Sequence, residues 1–263
     1  QEGVFLLAGT AKTIEFTPAA NMSDGMQYLG GAGSLSGLTV DGTDITPGGP
    51  GSLPVTSGAV AGLFNVRDNS VPEASRALDA LAFDLIGRFA DPAVDPTLAP
   101  GDAGLFTDNG GAADVLNISG LAGRIEINAS VDSAQGGAAW RIRDGVGAAS
   151  PSATGSDTIV RAFIDAMTDA RPGEAGLQST GNLTAAEAAA HITSLAGAAR
   201  TNASAQESVS SALAQSLYEA ETLDTGVDTD RELQNLLVIE QAYAANTRVI
   251  QAIDDMIRRL MEI

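Results

Sequence analysis

The stretch LLVIEQAYAANTRVIQAIDDMIRRLMEI, residues 236–263, holds four heptads whose apolar residues stay in phase up to Ile263. Leu236, Tyr243, Ile250 and Ile257 recur at one heptad position, and Ile239, Asn246, Ile253 and Leu260 follow three residues later. That spacing predicts a helix with a coiled-coil seam, because residues three and four apart share one face. Asn246 is the one amide in the seam, and a single buried amide costs stability while fixing register and partner number. Ala242, Val249, Met256 and Ile263 form a further row, and Leu233, Leu237 and Ala244 widen the apolar surface near the start. A face so broad exceeds what one partner helix covers, and an apolar surface of this extent marks an interaction site. The expected assembly interface is Leu233, Leu236, Leu237, Ile239, Tyr243, Asn246, Ile250, Ile253, Ile257 and Leu260. On spacing alone, the core helix of an ordinary bundle fits the same pattern.

Thr229 and Glu232 have capping-box spacing and open this helix, giving it roughly 33 residues and about 50 Å of length. Before it, TLDTGVDTD breaks the chain at Gly226. A second long helix begins at Leu183, with Thr184 and Glu187 as another capping box. Ile192, Leu195, Ala199, Asn202, Gln206, Val209 and Leu213 step along it by threes and fours, a seam weakened by its two amides. Packed as a hairpin, the two helices would still leave apolar rows uncovered. Either a helix preceding Gln1 or neighbouring subunits would have to bury them.

The rest of the chain alternates helix and strand signals. SGAVAGLFNVRDNSVPEASRALDALAFDLIGRFAD, from Ser57, reads as helical, with Ser70 and Glu73 as a capping box and Pro72 in the first turn. Leu78, Leu81, Ala82, Leu85, Ile86 and Phe89 then define one buried face. A shorter helix is expected over 157–170 around Ile159, Ala162, Phe163 and Met167. VFLL, TIEF, LTV and LPV in the first 56 residues, and VLNIS, RIEINAS and AAWRIRDG further on, read as strands, with Trp140 in the core. The fold class is therefore α+β. Its expected parts are a β-rich segment 1–56, a mixed domain 57–222 and a C-terminal helix 223–263.

Composition excludes several functions. With 14 basic against 33 acidic residues, the net charge of −19 opposes binding to nucleic acid or an anionic membrane surface. There is no cysteine, which removes disulfides and thiolate chemistry. The lone His191 lies in an Ala-rich helix and reads as a surface residue. Asp224, Asp228, Asp230 and Glu232 crowd one loop without the EF-hand spacing, so they read as capping acids. GGAGSLSG reads as a turn, and no Gly-x-Ser-x-Gly occurs. No catalytic, metal or cofactor site is expected, and no enzyme activity. Five Asn-x-Ser/Thr triplets, at Asn21, Asn117, Asn128, Asn182 and Asn202, carry no assigned role. No apolar run approaches the ~20 residues of a membrane span. The opening QEGVFLLAGT, without Met or a signal segment, predicts a fragment or processed chain.

Residues 226–263 resemble the C-terminal segment of the flagellar axial proteins, the rod, hook and hook-associated proteins of bacteria. The resemblance is carried by Gly226-Val227-Asp228, Asn235-Leu236-Leu237, Gln241-Ala242-Tyr243, Asn246 and Val249-Ile250. Within that family, SGAVAGLFNVRDN (57–69) is similar to the Gly-Leu-Leu-x-x-Arg-Asp segment of the hook-associated protein 1 group, which joins hook to filament. Asn235-Leu236-Leu237 points to the same group. The resemblance implies an elongated α+β molecule, β-rich outside and helical inside, whose terminal helix forms coiled coils in a tubular assembly. It implies a structural protein of the extracellular flagellum, exported without a cleaved signal. Its implied partners are copies of itself, the hook protein, the next hook-associated protein and an export chaperone. A hook or rod protein is the alternative, favoured if 57–69 is strand. A cytosolic helical-bundle binding protein is another, as is a secreted enzyme on a flagellar-type anchor.

Overall fold

Residues 12–20, 22, 25, 26, 28, 30, 33–51, 53–225 and 229–261 are described by a computed structural model. The strands near the start are short, as Gly, Pro and Asn between them demand. β1 (Ile14–Glu15), β2 (Thr39–Val40) and β3 (Thr43–Asp44) make an antiparallel sheet in that order, with Ile14 opposite Val40 and Thr39 opposite Asp44. Asp41 and Gly42 turn the β2–β3 hairpin with φ of 49° and 75°, the left-handed pair that matches strand twist. Buried Thr46 closes the sheet's end, its Oγ1 accepting the Leu38 N–H at 2.8 Å. VFLL lies outside the described residues. LPV forms no strand: Leu53 is exposed and Pro54 has no N–H to give.

The helix expected from Ser57 forms, with an irregularity the sequence did not announce. α1 (Gly58–Asn65) runs through a π-helical turn at Val66–Ser70 into α2 (Val71–Phe89). Ser70 is therefore no N-cap. Its backbone is already helical, at φ −65° and ψ −42°, and its side chain makes no capping bond. Pro72 explains the wide turn, since it cannot donate to the Asp68 carbonyl and its ring crowds that oxygen.

α2 is the hub of the first of two units, Gln1–Ser204 and Ala205–Ile263. Its Phe89 packs with Leu98, Val131, Val146, Ile159 and Phe163. Ala82 and Ile86 meet Leu121, and Ala80 meets Leu177 and Ala188. Of the expected buried face, Ala82, Ile86 and Phe89 are buried and Leu81 and Leu85 half-buried, whereas Leu78 is exposed.

β4 (Phe106–Asp108) pairs antiparallel with β5 (Ile125–Ile127), the strand expected in RIEINAS. VLNIS, between them, is not a strand, because Asp114 folds it into a turn by accepting the Leu116 N–H. AAWRIRDG is likewise no strand but contains the single turn α3 (Arg141–Asp144). Trp140 is half-buried rather than core, with the Arg141 guanidinium 5.2 Å from its ring. α4 (Thr158–Thr168) buries Ile159, Phe163 and Ala166. A two-stranded pair, β6 (Arg171–Pro172) with β7 (Asn182–Leu183), then leads into α5 (Ala185–Thr225). The last element is α6 (Thr229–Met261), 33 residues long.

The start of α5 is fixed by one buried arginine. Arg88 of α2 donates from Nε to Asp84 at 2.7 Å, from Nη1 to the carbonyls of Ala166 and Asp169, both at 2.6 Å, and from Nη2 to that of Leu183 at 2.9 Å. It thus holds the end of α4 and the residue preceding the α5 cap against α2. The expected Thr184–Glu187 box is present: the carboxylate accepts from the Thr184 N–H at 2.9 Å and from its Oγ1 at 3.0 Å. The Glu187 N–H returns to Thr184 Oγ1 at 3.2 Å. Charge at Glu187 is favoured by those two donors, backbone first, which hold its carboxyl below the usual range.

Candidate assembly surface

An uninterrupted helix over 229–261 places the heptad positions on a common face, as their spacing requires. Along α6 the apolar rows lie in solvent. Leu236 is 63% exposed, Ile239 67%, Tyr243 76% and Ile250 63%. Leu233, Leu237, Val249, Ile253 and Met256 are exposed as well. Asn246 is exposed between them. The side chains of Ile257 and Leu260, and the Thr229–Glu232 box, lie outside the described residues.

The second half of α5 is no better covered. Val209, Leu213, Leu217, Tyr218 and Leu223 are exposed. Of the described side chains in 205–263, only Ser210 is less than fully exposed. The heptad trace stops at Leu213, yet Leu217 prolongs it by a further step of four and Leu223 lies beyond. Those residues, and Val238 at 65% exposure on α6, extend the surface past the residues the spacing singled out. A step of four from Leu213 was the available signal.

No enclosed polar centre competes with this surface. No group of acids and histidine that could hold a metal ion occurs among the described residues. No described helix is long and apolar enough to cross a membrane. His191 is half-buried instead of exposed, with a buried Nε2 that has no hydrogen-bond partner. It lies one turn after Ala188, whose face packs on Leu177 and Ala80, and so is drawn toward that cluster.

Comparison with known proteins bears on the same segment. No curated protein and no solved structure matches the chain. Residues 224–263 match the family model described as flagellar basal body rod FlgEFG protein C-terminal, which takes in the whole of α6. The chain ends in a segment of the flagellar rod and hook family, and this supports a structural component of the bacterial flagellum without singling out hook-associated protein 1.

Proposed function

We propose that this chain is a hook-associated axial protein of the hook-associated protein 1 type, joining hook to filament outside the cell. Assembly would proceed through α6, residues 223–263 acting as the axial segment. The observation that carries the reading is the run of heptad leucines and isoleucines left in water on a helix of flagellar type. Each large apolar side chain moved from water to an interface contributes about 1.5–3 kcal/mol before ordering costs. Burial of these rows against neighbouring copies, hook protein or the next hook-associated protein would drive polymerisation, and an export chaperone would shield them until then.

Two observations bear on which axial protein this is. The helical state of residues 58–65, with the π-turn after them, favours the hook-associated reading over a rod or hook protein. The description of the matching family, by contrast, names rod proteins, and that keeps the second reading in play. Purified hooks separate the two: a junction protein adds to their ends and stops, whereas a hook or rod protein extends its own kind.

The α6 surface is tested by Leu236→Ser/Ile250→Ser in the full chain. The free variant should melt like the parent, while the concentration needed for polymerisation rises at least about a hundredfold. Unchanged polymerisation would sink the role of α6. A self-contained cytosolic bundle predicts something different again, namely a C-terminal segment resistant to protease in the free chain. Trypsin should instead cut first after Arg248, on exposed α6.

A further inference from the structure

Val115 is 66% exposed and Leu116 91%, more than any other large apolar residue among those described. Their loop is nevertheless braced on both sides. Asp114 accepts the Leu116 N–H on Oδ1 and the Asn117 N–H on its carbonyl, both at 2.9 Å. Arg124 donates to the carbonyls of Ser119 and Asn117, each at 2.7 Å, and pairs with Asp108 at 2.8 Å. From α2, buried Asp79 accepts the N–H groups of Gly120 and Ala122, both at 2.8 Å. A tip ordered in advance loses little further entropy when it is covered, so its apolar contacts count almost in full toward binding.

Next to this loop lies an open cleft of about 520 Å³, walled by Met22, Met26, Val71, Phe83 and Ile118, with Arg76 among its lining. Its size is that of a site for a small apolar group. We propose that the Val115–Leu116 tip is a docking knob that seats in this cleft on a second copy of the chain. The proposal rests on the assembly reading above and adds a contact outside α6. A second copy is the occupant because one chain carries both halves. The tip has the Asp114 carboxylate beside it and the cleft has the exposed Arg76 guanidinium, so opposite charges meet as the knob enters. At a net charge of −19, copies repel over most of their surface. An apolar knob with an acid facing a base gives them a place to approach.

The chain has no cysteine, so single thiols can be placed freely. Full chains carrying Leu116→Cys and Ser75→Cys, the latter in the cleft lining, are mixed under assembly conditions and oxidised. A disulfide-linked pair should form several-fold faster than between Leu116→Cys and Ser133→Cys, an exposed site away from the cleft lining. Equal rates overturn the proposal. In parallel, Leu116→Ser should fold normally and raise the concentration for association about tenfold. If Leu116→Ser assembles like the parent while Leu236→Ser/Ile250→Ser does not, the knob is wrong and the α6 reading stands. If both assemble like the parent, the assembly reading itself fails.

Discussion

In one part of this molecule charged side chains are buried, and in the other leucines are exposed. Within Gln1–Ser204, Arg88, Asp79 and Asp95 are almost wholly removed from water, and each is saturated by hydrogen bonds. Within Ala205–Ile263, Leu236, Tyr243 and Ile250 stand in solvent on helices of regular geometry. Both arrangements are costly in isolation, since buried charge must be fully paired and exposed apolar surface is hydrated at a loss. The first unit meets its cost internally. The second leaves its cost to be met by a partner. A folded chain that finishes one core and leaves another open is one whose stability and assembly reside in different residues.

The sharpest break in that comparison is at Arg88. Replacing it by Ala leaves Asp84 without its partner and three carbonyls without a donor, in a place water does not reach. The expected loss is about 3–5 kcal/mol of unfolding free energy, read from the denaturant midpoint. Leu236→Ser in the free chain should shift the same midpoint by no more than about 0.5 kcal/mol, because an exposed side chain has little to lose. Comparable losses at the two sites would erase the distinction between the units.

Asp79→Ala is the intermediate case. Two buried-side N–H groups, of Gly120 and Ala122, lose their acceptor, and about 1–3 kcal/mol should go with it. Hydrogen exchange at those amides should rise before the unit as a whole loosens. Asp79→Asn, which keeps one acceptor oxygen, should fall between parent and Ala variant. An Asn variant no better than Ala would mean that the carboxylate acts through its charge and not through these two bonds.

What sequence could foretell follows the same line. α6 was legible nearly to the residue, because 33 residues of heptad spacing overdetermine a helix. Ala82, Ile86 and Phe89, or Ile159 and Phe163, were legible for the same reason. Arg88 was not: on a helical wheel it is one more polar position, and three of its partners lie 78, 81 and 95 residues away in sequence. The Val115–Leu116 tip was misread because β-branched and aliphatic residues in a short run look like a strand. A single Asx turn at Asp114 undoes that pattern without changing its composition. Trp140 was assigned to the core by type, and type does not record that an arginine beside it supplies the cover. As for the assembly surface, its apolar rows were legible while their occupant was not, since periodicity describes one face and never the face opposite.

The finest test is at the junction where α5 leaves the finished core. Glu187 is ionised in its capping box with its pKa held below the ordinary glutamate value of about 4.3, by the Thr184 N–H first and the Thr184 hydroxyl second. A depressed folded-state pKa means that the box contributes in full above the ordinary value and is lost as pH falls through the depressed one. Exchange at the Thr184 and Glu187 amides, corrected for the intrinsic pH dependence, should therefore be level from pH 7 to 5. It should quicken below about pH 4. Glu187→Gln keeps an acceptor for Thr184 and should remove the pH dependence while retaining most of the protection. The cap lies on the finished side of the molecule, so polymerisation at neutral pH should be the same for Glu187→Gln and the parent. A variant that assembled differently would show that the cap also governs the open helices, and the two regions would no longer be separable.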